Sequence, residues 1–130
     1  TPCFENGNIA IMQGLSARVG FGSSELFVIR SQSINTEFIF YYLQNDIFKQ
    51  YACATMTGTG GLKRVSPTFV RNYSVFIPCN EEQLEIVRYL NEKCSGIEVL
   101  IAKKQQYLTE IENYKKSLIY EYVTGKKEVI

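Results

Sequence analysis

Hydrophobic and polar positions change period several times along the chain, and each change predicts an element. Two short apolar runs, Cys3-Phe4 and Ile9–Met12, flank Asn6-Gly7 and predict a hairpin with a tight two-residue turn. After a glycine-punctuated stretch, ELFVIR at residues 25–30 reads as a largely buried strand. Over residues 35–52 the period lengthens. Phe38, Ile39, Tyr42, Leu43 and Ile47 fall on one face of a single helix, with Asn35 as its N-cap. Its aromatic load suits either packing on a sheet or base stacking, and packing is the reading taken. Ser66-Pro67 opens one helical turn, and YSVFIP at residues 73–78 is a strand stopped by Pro78.

The remainder is helical. Asn80 followed by Gln83 reads as a capping-box variant, and Glu81 and Glu82 suit the first turn of a helix over about 81–95. That pair of carboxylates is therefore read as structural. From Ile97 to about Val123 neither Gly nor Pro interrupts the chain. Ile97, Leu100/Ile101, Tyr107/Leu108, Ile111, Tyr114 and Leu118 recur in three- and four-residue steps, with Lys104 the lapse, and this is a coiled-coil seam with Ile97, Ile101, Leu108, Ile111 and Leu118 as its aliphatic positions. A helix of that length measures about 40 Å. A small domain cannot cover it from end to end, so the seam predicts a partner helix and a homodimer closed through residues 97–123. Gly125 stands where a C-terminal cap is expected. The fold class expected is α+β: a small, mixed, β-rich domain over 1–79 with one packed helix, then a helical spacer and coiled coil over 80–130.

Composition narrows the chemistry. The chain has 130 residues, 45% hydrophobic and 21% charged, which bounds it to one ordinary core. It has no apolar run long enough for a membrane span, and its start lacks the pattern of a signal peptide. A cytoplasmic protein is expected. Net charge is +1, so any strong positive field must be local. His is absent, which removes the commonest general base and excludes Ser-His and Cys-His catalysis within this chain. Cys3, Cys53, Cys79 and Cys94 show no metal-ligand spacing and read as small buried hydrophobes. No catalytic residue, metal site or cofactor is assigned.

One loop carries the best candidate chemistry. TGTGGLKRV, residues 57–65, places glycines, hydroxyls and adjacent cations together, without the spacing of a Walker or dinucleotide motif. Lys63 and Arg64 are the candidate contacts to a polyanion, with Thr57 and Thr59 as weaker hydroxyl donors. Gly58, Gly60 and Gly61 would shape the loop and allow close approach. Gln13 and Arg18, in the other glycine-rich stretch, form a second candidate patch. A solvated loop whose glycines only satisfy turn geometry is the competing reading.

The order of these features is familiar. A Gly/Thr loop and short Ser-Pro helix lead into VFIP, then NEEQ, then a long helix closing on KKSLIYEYVTGK. This resembles the C-terminal part of a target recognition domain plus its spacer helix, from the specificity subunit of type I restriction–modification systems. Two departures are visible: the lead into Glu81-Glu82-Gln83 is only Pro78-Cys79-Asn80, and Ser95 or Gly96 stands where an Asp is common. The resemblance implies a non-catalytic module that reads double-stranded DNA, needs no cofactor, and docks methyltransferase and restriction subunits. It also implies a chain beginning mid-domain, at a strand over Thr1–Glu5. An oligomerisation or adaptor fragment, working through its helix without binding DNA alone, is the alternative.

Overall fold

The structure is a computed structural model that describes residues 4–17 and 19–129, and its regular elements are helices. They are α1 (Thr36–Leu43), α2 (Asp46–Ala54), α3 (Pro67–Asn72) and α4 (Asn80–Val123), with single 3-10 turns at Phe4–Asn6 and Gly60–Leu62. The chain divides into two compact units, Thr1–Arg88 and Tyr89–Ile130.

The expected α+β, β-rich first domain is overturned. Among the described residues there is no sheet, only an isolated antiparallel bridge between Thr57 and Arg64. At the predicted hairpin, the Gly7 N–H donates to the Phe4 carbonyl at 3.0 Å, closing a 3-10 turn. Residues 1–3 of the expected first strand lie outside the described residues. The runs at 25–30 and 73–78 have strand composition but take no neighbouring strand. β-propensity measures fit to a paired, half-buried surface, and without a ladder it does not fix a strand. Val28 and Phe76 accordingly stand 69% and 81% exposed. Side chains of 73–78 keep a two-residue alternation: Tyr73, Val75 and Ile77 line an apolar cavity of about 130 Å³ with Ile29, Phe38 and Tyr42.

The single helix expected over 35–52 is two. Asn35 caps α1, its Oδ1 accepting from the N–H groups of Glu37 and Phe38 at 2.8 and 3.0 Å. Asn45 then caps α2 in the same way, accepting from the Ile47 N–H at 2.7 Å. An Asn with a local backbone acceptor role favours starting a new helix over continuing the old one. The break moves Ile47 off the shared face, and it is exposed. The core of this unit forms around Phe48 and Ala52 of α2 with Val65 and Val87, all buried. The Phe48 ring meets Tyr73 edge-on at 4.9 Å between centroids and stacks on Phe69 at 6.1 Å. The aromatic load thus packs helix on helix and loop, not on a sheet.

Toward the C-terminus, α4 is one helix where two were expected. Gly96 has ordinary helical backbone, and no atom would obstruct a Cβ there. A lone Gly costs about 1 kcal/mol against Ala, too little to break a helix of strong formers. The first bond of α4 runs from the Gln83 N–H to the Cys79 carbonyl at 3.0 Å. Asn80 therefore lies inside the helix, and the capping box does not form. At the far end Gly125 has φ +69°, and Lys126 N–H reaches back to the Glu121 carbonyl at 2.8 Å while Gly125 N–H reaches Tyr122 at 3.2 Å. This pair of bonds is a Schellman cap. The described cysteines are free thiols; Cys53 and Cys94 are half-buried, but Cys79 is exposed, against the expectation of burial.

Candidate functional site

The 57–64 loop is closed at its neck by the Thr57–Arg64 bridge. Thr57 N–H donates to the Arg64 carbonyl at 3.0 Å, and Arg64 N–H to the Thr57 carbonyl at 2.9 Å. Just past the neck Val65 is 2% exposed, so its burial anchors the loop to the core. Between the two ends the chain turns through Gly58 at φ +120° and Gly60 at φ +60°. An L-residue in the left-handed region costs roughly 1–2 kcal/mol, so Gly60 is the residue that lets the 3-10 turn begin. A Cβ added at Gly60 or Gly61 would meet nothing within 4 Å, so both faces of this turn are open.

The loop presents two cations differently. Lys63 is exposed and makes no ion pair among the described residues. Arg64 directs its guanidinium Nη2 to the Glu25 carboxylate at 2.5 Å. Thr57 and Thr59 are exposed on the same loop. Of the second candidate patch, Gln13 is exposed and shares no hydrogen bond with the loop among the described residues, while Arg18 lies outside them.

Beside the loop is an open depression of about 540 Å³. Thr55, Thr57, Ser66, Thr68, Asn72 and Ser74 supply its polar wall, and Phe69 and Tyr73 its apolar floor. Thr68 and Asn72 stand one turn apart on α3, whose Pro67 occupies the first turn as its fixed φ favours. Ser66 stands at the N-cap position but makes no side-chain capping bond. Burial raises the Tyr73 phenol above its ordinary value, and the Tyr42 hydroxyl beside it adds to the effect. Tyr73 is thus a neutral floor residue at any physiological pH. Sequence reasoning reaches Thr57 and Ser66 of this wall but misses Glu25, Thr55, Thr68, Asn72 and Ser74.

Along α4 the seam residues Ile97, Ile101, Leu108 and Ile111 are 55–63% exposed. Leu118 is half-buried.

A protein-family model described as the type I restriction modification DNA specificity domain matches residues 5–113. The chain belongs to that family. Among curated relatives, it is 39% identical over 89 residues to the type I restriction enzyme EcoEI specificity subunit of Escherichia coli, covering 67% of this chain and 15% of that protein. The EcoAI specificity subunit of the same organism is 35% identical over 117 residues, 86% of this chain and 19% of the relative. The MjaVIII specificity subunit of Methanocaldococcus jannaschii is 29% identical over 103 residues, 79% and 23% respectively. The chain therefore spans less than a quarter of the length of these relatives. No solved structure matches it.

Proposed function

We propose that this chain is a non-catalytic DNA-recognition module of a type I restriction–modification specificity subunit. The observation that carries the proposal is the clamped 57–64 loop, with exposed Lys63 and glycine-opened backbone, inside a chain that matches the family over residues 5–113. Phosphate contacts position a protein on DNA through cations, hydroxyls and backbone N–H groups, and this loop offers all three. Lys63 and Arg64 are the principal contacts, and Thr57 and Thr59 the supporting donors. Gly58, Gly60 and Gly61 keep the loop open to close approach, while exposed Gln13 is a secondary candidate contact.

The helical part, residues 80–130, acts as spacer and assembly element. Its exposed stripe pairs two copies of the chain as a coiled-coil homodimer through residues 97–123. Methyltransferase and restriction subunits are the further partners. No helix among the described residues is long and apolar enough to cross a membrane, and the proposed setting is the cytoplasm, where such an assembly meets DNA.

The test is a salt titration of duplex DNA binding by the full chain and by a Lys63→Ala, Arg64→Ala variant. Each lost phosphate contact lowers the slope of log K against log[salt] by about one unit. Unchanged affinity and slope in the variant would reduce the loop to a solvated turn.

A further inference from the structure

The depression beside the loop has a chemistry of its own. No charged side chain lines it. The side chains of Ser66, Thr68, Asn72 and Ser74 make no hydrogen bond to the protein among the described residues, whereas the Thr55 hydroxyl already donates to the Ala52 carbonyl at 2.8 Å. Four neutral groups able to donate thus face one open surface. Thr57 belongs both to this surface and to the cationic loop, so the two are continuous. The floor is anchored in the core: Phe69 and Tyr73 pack against each other at 5.3 Å and against Phe48.

We propose that this depression takes the sugar–phosphate backbone of one DNA strand, hydrogen-bonded by Ser66, Thr68, Asn72 and Ser74, next to the strand's contacts with Lys63 and Arg64. The assignment rests on the DNA-recognition reading above and extends its footprint to residues that carry no charge. Phosphate oxygens only accept hydrogen bonds, and hydroxyl and amide groups can all donate to them. A cation would find no carboxylate here, and an apolar side chain would leave the four polar groups without partners. The depression is shallow and open, which suits a strand passing across it.

The neutral contacts have a signature that separates them from the cationic ones. Counterion release follows neutralised charge, so losing a hydroxyl–phosphate bond weakens binding without changing the salt slope. The experiment compares Thr68→Val, Asn72→Ala and Ser74→Ala, singly and combined, with the Lys63→Ala, Arg64→Ala variant. Binding of the full chain to a panel of unrelated duplexes is read by fluorescence anisotropy over a range of salt, with circular dichroism melts to confirm that each variant folds. The combined polar variant should lose about tenfold or more in affinity, from net hydrogen-bond energies at each site. The loss should be equal on all duplexes and run parallel to wild type in salt. If the cationic variant weakens binding and the polar variant does not, the depression is no part of the footprint, while the DNA reading stands. If neither variant changes binding, both fail. A polar variant that weakens one duplex alone would overturn the backbone assignment in favour of contacts to base edges. The single variants keep the test alive should the combined one misfold.

Discussion

The Gln83 side-chain carbonyl accepts the Asn35 N–H at 2.8 Å, joining positions 48 residues apart in sequence. The same side chain donates through Nε2 to the Pro78 carbonyl at 2.9 Å and more distantly to Asn80 Oδ1 at 3.4 Å. Gln83 is 1% exposed, the one buried polar residue among those described. Asn35 is itself the cap of α1, so one amide ties the start of α4 to the start of α1 within the first unit. Replacing Gln83 by Met keeps the size but leaves the Asn35 N–H and the Pro78 carbonyl without their partner. The expected cost is about 1–3 kcal/mol, the penalty for stranding part-buried polar groups. Urea unfolding of the two proteins measures it, and an unchanged midpoint would make the amide a bystander.

Gly60 and Gly61 are adjacent and equally open, yet only Gly60 has positive φ. Gly60→Ala should therefore destabilise the loop by roughly 1–2 kcal/mol through backbone strain. Gly61→Ala has no such strain to bear and should be near neutral or slightly stabilising, since Ala restricts the unfolded chain. Paired denaturation curves decide it. Equal effects at the two sites would mean that the 3-10 turn at Gly60–Leu62 does not persist in solution.

Asp46 opens α2, and its Oδ1 lies 2.8 Å from Lys49 Nζ. The hydrogen bond and charge of Lys49 hold the Asp46 carboxyl below its ordinary value of 3.8. A depressed carboxylate binds fewer protons folded than unfolded, so stability from this pair is fully present above about pH 3.8 and fades as pH falls through the lowered value. Asp46→Asn should consequently lower stability at neutral pH and lose its effect in acid. Asp46 is well exposed and Lys49 only half-buried, so the difference is small. Lys127 shows the opposite sign: its hydrogen bond and ion pair with Glu121 at 2.6 Å raise it, and that contribution persists below pH 10.5 and is lost above. Thermal melts of wild type and Asp46→Asn across pH 2–7 test the first pair. A difference that grows toward acid would contradict the sign.

Local signals in the sequence were legible where the structure depends on local chemistry. Asn35 as a cap, Pro67 opening a helical turn and Gly125 closing the long helix all follow from side chains acting on their own neighbourhood. Strand assignment fails at residues 25–30 and 73–78 because a strand is made by its partner, and composition does not say whether a partner is there. The break at Asn45 was hidden by an apolar period that runs through it. Sequence proximity pairs Gln83 with Asn80 in a capping box, whereas its shortest bond goes to distant Asn35. The candidate loop was visible as a cluster of Gly, Thr and Lys/Arg. Its ion pair with Glu25 and its shared wall with Thr68 and Asn72 were not, since both depend on how distant segments meet.

The seam of α4 stands largely in solvent. Ile101 and Ile111 are 61% and 63% exposed, and Ile97 and Leu108 each 55%. Helices of this kind draw most of their stability from packing an apolar face, and each such side chain contributes about 1.5–3 kcal/mol on full burial. Lys104 interrupts the stripe, but its methylene stem can cover apolar surface while the ammonium stays in water. A second copy of the chain offers a stripe of the same register, and a two-fold arrangement buries both at once. The wild-type chain should therefore sediment at twice its 14.9 kDa mass at micromolar concentration. Ile101→Asp, Ile111→Asp should run as a monomer, because burying two carboxylates in an apolar seam costs their hydration, and its helical content should fall as the far end of α4 frays. Sedimentation equilibrium together with circular dichroism reads both effects. A wild type that stays monomeric at tens of micromolar would mean that another surface covers this stripe, and the homodimer would have to be abandoned.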